Sequence, residues 1–201
     1  GIVVGAPYRT SAGTIDKIVR GKSEWINRTL EGFRSLKRLD KKDGYSDGDE
    51  IILFGRLHKL RIIPSSSGFV RLSGGDIIEA GVNGNVDPLL VRASLELWFS
   101  TIAKQKLTAL FAEMLEKHRS RGFNPSGFCV RKMKKRWGSC SSKGKIALSY
   151  DLIRLDVVFS EYVIIHELCH LKHHNHSSDY YNLLSEVFPG WKSVRKELRT
   201  W

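Results

Sequence analysis

The 201-residue sequence has few cysteines and no long hydrophobic run, and each shortage excludes a class of protein. Its three cysteines, Cys129, Cys140 and Cys169, are widely spaced and form no C-x-x-C pair. This usage argues against a disulfide framework and against a cysteine-ligated zinc site, and it predicts a reducing, cytoplasmic location. No apolar run reaches the ~18 residues that cross a bilayer, so we predict no membrane span.

The start of the chain shows no secretory signal, and its first residue is Gly1 rather than methionine. We therefore expect a chain that is trimmed at its start. Its hydrophobic content of 41% is sufficient for a packed core. At this length we expect one domain, or a small domain with an appendage.

Acidic residues are missing from one stretch of this basic protein. The formal net charge is +12, and residues 126–150 contain seven lysines or arginines and no acid. Such a patch could attract a polyanion through counterion release, or it could be a solvated face that keeps the protein soluble. The residues that would contact nucleic acid are Arg131, Lys132, Lys134, Lys135 and Arg136.

Hydrophobic periodicity predicts helix and then short strands in the N-terminal part. A β-rich run at residues 2–4 precedes apolar residues that recur at helical spacing between residues 15 and 36. Four short β-rich runs follow between residues 50 and 80, with Gly55 in a tight hairpin turn. His58 lies in this hairpin, where we expect a surface or cross-strand residue rather than a metal ligand.

One long helix is predicted from Asp87 to about His118, because Asp87 is a good N-cap and Pro88 suits the first helical position. Its apolar side is expected to contain Leu90, Ala93, Leu97, Ile102, Leu107, Leu110, Phe111, Met114 and Leu115. The runs 127–131 and 145–150 are predicted to form a hairpin around a Gly/Ser-rich connection. Further helices are predicted at residues 157–172 and 179–188 and from residue 190 to the end.

The most informative stretch is His166-Glu-Leu-Cys-His-Leu-Lys-His-His-Asn-His176, which begins with H-E-x-x-H. Residues four apart lie on one face of a helix, so His166 and His170 can bind one metal ion. Glu167 lies one step round the helix, where it can take a proton from a water on that metal. A hydrolytic zinc site needs three protein ligands and one open position, so a third ligand is required.

The third ligand could be His173, His174 or His176. In a continuous helix His174 lies about 12 Å along the axis from His166, which is too far for one ion to be shared. His173 would be rotated off the ligand face. His176 can serve if the helix stops near His174 and Asn175 makes a left-handed turn. We therefore favour His176 as the third ligand of one Zn²⁺ ion.

The H-E-x-x-H pattern also occurs by chance, and three features count against chance here. Its flanks are apolar and helical, a third histidine lies at a workable distance, and five of the seven histidines fall within eleven residues. A zinc site without catalytic activity is a further alternative. Glu167 argues against it, because a purely structural site has no need of a base.

Several motifs together resemble the YgjP-like metallopeptidases, which are zincin-type proteins related to SprT-like proteins. The most specific ones lie at residues 136–141, 145–148, 166–170 and 175–177, and weaker ones at 4–7, 23–26, 55–60 and 97–98. The resemblance therefore covers nearly the whole chain. It implies zinc ligation by His166, His170 and His176, with Glu167 as the catalytic base.

Two other features qualify this resemblance. Family members usually begin with a further basic β-hairpin, and its absence here also indicates a trimmed chain. The histidine spacing is similar to that of metzincins, but those proteins have glycine at the position of His173. No methionine follows Met133 to form a Met-turn. The chain is therefore not assigned to the metzincins.

The segment Trp137-Gly-Ser-Cys140 has no direct metal chemistry. A strand beside the zinc helix could bind an extended peptide, and Ser139 or its backbone N–H could contact substrate. Alternatively, Trp137 packs over the helix and Gly138 makes a turn. Tyr180 could contact a transition-state oxygen or pack in the core. The candidate substrate contacts are therefore Trp137, Ser139 and Tyr180.

We predict an α+β fold in which a zincin-like H-E-x-x-H helix packs with a small antiparallel or mixed sheet at residues 86–201. A smaller α/β region at residues 1–85 precedes it. The predicted function is zinc-dependent hydrolysis of peptide bonds in a peptide or protein substrate. The alternative is a basic, nucleic-acid-associated zinc module that acts on or binds nucleic-acid-bound proteins.

Overall fold

The computed structural model describes residues 10–21, 23 and 44–201. The helices are α1 (Ala12–Gly21), α2 (Pro88–Lys117), α3 (Val157–Cys169), α4 (Ser178–Val187) and α5 (Trp191–Leu198), with 3-10 helices at Arg119–Arg121 and Tyr150–Arg154. The strands are β1 (Glu50–Leu53), β2 (Arg56–Pro64), β3 (Phe69–Ser73), β4 (Ile77–Val82), β5 (Gly127–Arg131), β6 (Gly138–Cys140) and β7 (Lys145–Ser149). The strand predicted at 2–4 and the helical pattern predicted at 25–36 lie outside the described residues.

The four predicted N-terminal strands form one sheet in the order β1-β2-β4-β3. The β1–β2 turn consists of Phe54 and Gly55, both with positive φ, as a tight two-residue hairpin requires. Their N–H groups donate to the carbonyls of Ile153 and Arg154, at 2.7 and 3.0 Å. The hairpin tip is therefore fixed to the 3-10 helix that leads into α3.

His58 is the cross-strand partner of Ile51 and is buried. Its Nδ1 lies 3.1 Å from the carbonyl oxygen of Arg56. The cross-strand interpretation is confirmed, and His58 is not among the histidines whose ligand atoms converge.

Helix α2 begins as predicted, since the Asp87 side chain accepts a hydrogen bond from the N–H of Leu89. The predicted apolar side was partly wrong, because Leu90 and Leu97 are 61% and 72% exposed. The buried row is Val91, Leu95, Phe99, Ala103, Leu107, Phe111 and Met114. Successive helical residues are about 100° apart, so a one-position error in the row turns the predicted face away from the core.

The second sheet has the order β5-β7-β6, and the predicted β5–β7 hairpin was wrong. Strands β5 and β7 are parallel, with Phe128 opposite Ile146. The Gly/Ser-rich connection contains β6, which pairs antiparallel with β7 and whose other edge pairs with no strand of the described residues. A three-residue strand is too short to produce an alternating pattern, so β6 could not be predicted from hydrophobic periodicity.

Helix α3 is the central helix of the fold and is buried on nearly all sides. Asp156 caps its N-terminus by accepting from the N–H of Val158. The helix packs against β6 and β7 on one side and against α2, α4 and α5 on others. The α+β fold is confirmed, with an H-E-x-x-H helix against a small mixed sheet.

The division at residue 85 stays a prediction, and one buried cluster extends from Tyr45 to Leu198 across it. Within the described ranges, no helix is both long and apolar enough to span a bilayer.

Candidate metal centre

The last turn of α3 and the chain just after it bring three histidines together. His166 lies in that turn and His170 is the C-cap residue, with ring centroids 5.0 Å apart. The chain then turns back, and His176 Nε2 comes to 3.4 Å from His166 Nε2. One ligand atom from each of the three histidines lies within 4.8 Å of the others.

The turn after α3 differs from the predicted one. The helix ends at Cys169, earlier than expected, and the N–H groups of Lys172 and His173 both donate to the Cys169 carbonyl. Asn175 does not adopt the left-handed conformation, because Phe54 and Asp76 are the non-glycine residues with positive φ among those described. The prediction for Asn175 was therefore wrong, although the chain does return toward α3.

Hydrogen bonds at the Nδ1 atoms set the orientation of the His166 and His170 imidazoles. His170 Nδ1 lies 3.0 Å from the His173 carbonyl oxygen, which can only accept, so Nδ1 carries the proton. His166 Nδ1 lies 2.6 Å from Tyr180 Oη, which in turn donates to the His166 carbonyl at 3.2 Å. In both rings this pattern leaves the Nε2 lone pair free for a metal.

The spacing of His166 Nε2 and His176 Nε2 fits a shared zinc ion. Zn–N bonds of 2.0–2.1 Å in tetrahedral geometry place ligand nitrogens about 3.3–3.4 Å apart, and the His166–His176 distance is 3.4 Å. Burial, followed by the neighbouring His170 and His176 and by Arg195, lowers the pKa of His166 to about 3. A neutral imidazole is the form that binds a metal. His176 is exposed, so the site is open to solvent.

Glu167 lies beside the histidines and is 5% exposed. Burial raises the pKa of its carboxyl group to about 7, against the opposing effects of the Cys140 N–H and the Arg136 charge. A carboxylate with a pKa near neutrality is suited to accepting and returning a proton.

Gly138 makes room for this carboxylate. A Cβ atom at Gly138 would lie 2.8 Å from Glu167 Oε1 and 2.8 Å from Val163 Cγ1. Glycine is therefore required by the close approach of β6 to α3 and not by a turn, which was one of the two alternatives considered for this segment. The Trp137-Gly-Ser-Cys140 motif contains the glycine that allows this contact, but the sequence alone does not show that Gly138 lies against α3.

A cleft of about 310 Å³ opens beside His166 and Glu167. Its walls come from the segment before and in β6, from α3 and from α5, namely Arg136, Trp137, Gly138, Tyr162, Val163, His166, Glu167, Arg195, Leu198 and Arg199. Sequence reasoning missed the contribution of α5, because that helix carries no recognisable motif.

The three predicted substrate contacts lie in different places. Trp137 lines the cleft. Ser139 does not, because side chains alternate along a strand and its neighbour Gly138 is the residue directed at α3. Tyr180 is fully buried behind His166, which does not fit contact with a substrate. Core packing is therefore the alternative that fits Tyr180, and a substrate contact of the Ser139 backbone N–H stays a prediction.

The basic stretch is divided between different neighbours. Lys132 Nζ lies 3.1 Å from Glu96 Oε2 and 5.6 Å from the centroid of the Tyr150 ring. Arg136 lines the cleft. Two of the five residues predicted to contact nucleic acid therefore have other surroundings, and nucleic-acid binding is not supported.

This chain is similar to two solved structures and matches one family model. The crystal structure of the metallopeptidase zymogen abylysin from Pyrococcus abyssi is 26% identical, with a TM-score of 0.41, covering 47% of this chain and 92% of that chain. The zymogen of jannalysin from Methanocaldococcus jannaschii is 24% identical, with a TM-score of 0.40, covering 46% and 92%. No curated protein matches. The family model described as YgjP-like, metallopeptidase domain, matches residues 1–200, and this chain therefore belongs to the YgjP-like metallopeptidase family.

Proposed function

We propose that the chain is a zinc-dependent peptidase in which His166, His170 and His176 hold one zinc ion and Glu167 is the general base. The convergence of three imidazole nitrogens beside a buried carboxylate, at the end of an open cleft, is the observation that supports this proposal most strongly. Three nitrogen ligands and a solvent-accessible fourth side are typical of catalytic rather than structural zinc sites.

A zinc ion held by these histidines would supply a water that ionises near neutral pH, and the ion would polarise the carbonyl group of the scissile bond. Glu167 accepts a proton from the attacking water and returns it to the leaving amine. The Cys140 N–H donates to this carboxylate and holds its orientation. Tyr180 and the His173 carbonyl hold the rings of His166 and His170 in place.

Strand β6 is suited to bind the peptide in an extended form. The backbones of Trp137 and Ser141 bond to β7, so the alternate residues Gly138 and Cys140 direct their backbone polar groups to the edge that no described strand pairs with. Because the Cys140 N–H on this edge donates to Glu167, the N–H and C=O of Gly138 are the groups that would pair with a peptide. A peptide that adds to this edge would run past Glu167, with Trp137 as an apolar contact.

Removal of the metal tests the proposal directly. We expect the zinc-loaded protein to hydrolyse fluorescently labelled casein, a chelator to abolish this activity, and one equivalent of zinc to restore it. The expected stoichiometry follows from the single group of three histidines found in the described part of the chain. Mass spectrometry measures the metal content and so checks the stoichiometry, and the rate of casein hydrolysis checks the dependence of activity on zinc. Hydrolysis that persists in the metal-free protein would contradict the proposal.

Replacement of Gly138 by alanine should lower activity without loss of zinc. The added methyl group would meet Glu167 and Val163 at 2.8 Å, so the carboxylate must shift from its position beside the histidines. Small displacements of catalytic groups can cost on the order of 100-fold in rate, and we expect a decrease of about this size in kcat/KM.

Gly127→Ala is the matched control, because a Cβ on β5 at Gly127 meets its nearest atom, Lys145 Cγ, at an ordinary 3.8 Å. Both variants should retain one zinc per chain. Equal activity of the two variants would show that the space at Gly138 is not needed for catalysis.

A further inference from the structure

Three arginines line the cleft that contains His166 and Glu167. Arg136 precedes β6, whereas Arg195 and Arg199 lie in and just after α5. Glu167 is the single acidic residue in this lining. Because the guanidinium group stays protonated at all physiological pH values, the cleft carries a positive charge even when Glu167 is ionised.

Within the described residues, none of these arginines forms an ion pair closer than 4.0 Å, whereas Arg71 and Arg121 pair with Glu79 and Glu186 at 2.8 and 2.6 Å. The Arg136 charge does act on Glu167, whose pKa it lowers. Positive charges that line one cleft repel one another. An anionic group that enters the cleft would relieve this repulsion.

Arg195 is held in a defined position. Its Nη1 donates to Tyr181 Oη at 3.2 Å, and its guanidinium carbon lies 5.8 and 5.7 Å from the ring centroids of Tyr181 and Trp191. Those two rings stack on each other, with centroids 5.1 Å apart. The aromatic support fixes the guanidinium plane and leaves further N–H groups for a ligand.

We propose that this part of the cleft is a subsite for a carboxylate of the substrate, next to the scissile bond. The inference rests on the proposed peptidase function and adds a substrate class, acidic peptides. A planar carboxylate matches the paired N–H groups of a guanidinium. The apolar walls formed by Trp137, Tyr162 and Leu198 lower the local dielectric constant and strengthen the interaction. The carboxylate can belong to a glutamate or aspartate side chain or to the C-terminus of a peptide.

The test compares peptides that differ only in charge. One set carries glutamate or glutamine at its central positions, and another has a free or an amidated C-terminus. Binding is measured by fluorescence anisotropy on zinc-loaded Glu167→Gln protein, which leaves the peptides intact, and kcat/KM is measured on the native protein. Since charge-assisted hydrogen bonds are stronger than neutral ones, we expect the preferred carboxylate form to bind about 10-fold or more tightly than its neutral counterpart.

Substitutions in α5 then assign the preference to the arginines. A protein that carries Arg195→Gln and Arg199→Gln should bind acidic and neutral peptides equally. Lys196→Gln is the control, because Lys196 lies on the same helix, is exposed and is not part of the cleft lining. It removes one positive charge from this helix, outside the cleft, and should retain the preference. If loss of the Tyr181 contact unfolds the Arg195→Gln protein, Arg199→Gln with Arg136→Gln provides the same test.

The outcomes separate this inference from the proposed function. Equal binding of acidic and neutral peptides by the arginine-intact protein, or a preference that survives the arginine substitutions, overturns the subsite. Arginine-dependent binding without hydrolysis by the native protein supports the subsite and contradicts the peptidase function. A preference that follows the C-terminus points to removal of terminal residues, and one that follows glutamate points to internal cleavage.

Discussion

Glu167→Gln is expected to bind zinc as the native protein does and to lose about 100- to 10,000-fold in kcat/KM for peptide hydrolysis. Glutamine has nearly the same shape, and its carbonyl oxygen can still accept the hydrogen bond from the Cys140 N–H. It cannot accept a proton from the attacking water. Because Glu167 is not one of the three residues whose ligand atoms converge, metal binding should be unaffected. Labelled casein and metal analysis of the same sample measure both quantities.

Glu186→Gln provides a control for the change of charge. Glu186 lies in α4, is exposed and pairs with Arg121 at 2.6 Å, away from the cleft lining. We expect its activity to remain within about twofold of native, since surface ion pairs contribute little. A Glu167→Gln protein that is fully loaded with zinc and fully active would rule out Glu167 as the base.

Sequence reasoning succeeded where the structure is determined by neighbours along the chain. The N-cap at Asp87, the hairpin at Gly55 and the approach of His166 to His170 follow from turn and helix geometry over a few residues. It failed where distant residues decide. Leu90 and Leu97 are as apolar as the buried row of α2, and the packing against the rest of the fold determines which row is buried. The parallel pairing of β5 with β7 likewise joins segments that are distant in sequence, and it lies in a sheet whose β5 packs against α2 and whose β6 and β7 pack against α3.

The candidate site shows the same division. His176 was predicted as the third ligand because helix geometry excludes His173 and His174. In the structure His176 approaches His166 without the left-handed turn that was predicted at Asn175. The hydrogen bond between Tyr180 and His166 joins two helices and left no pattern in the sequence. Arg195 and Arg199 are four residues apart near the end of the chain, a spacing that is common on solvated helices. Only the tertiary structure places them beside Glu167.

His176→Ala is expected to weaken zinc binding strongly. Loss of a residue that only hydrogen-bonds to a metal ligand typically lowers metal affinity about 10- to 100-fold, and loss of a ligand itself should cost more. We therefore expect a decrease of more than about 100-fold in zinc affinity. His166 and His170 would remain on one helical face, but two imidazoles provide too few ligands for a stable catalytic site. Competition with a chromophoric chelator measures the affinity, and circular dichroism verifies the fold.

His174→Ala is the matched control for this substitution. His174 is exposed and lies two residues before His176 in the same turn, yet it does not belong to the converging group. Its zinc affinity should stay within about twofold of native, as expected for a surface substitution away from the ligands. His176 directly precedes Ser177, which caps α4 by accepting from the Tyr180 N–H. This cap fixes the start of α4, and with it the positions of the His176 imidazole and of the Tyr180 hydroxyl behind His166. Equal zinc affinity of the His176 and His174 variants would refute the assignment of His176 as the third ligand.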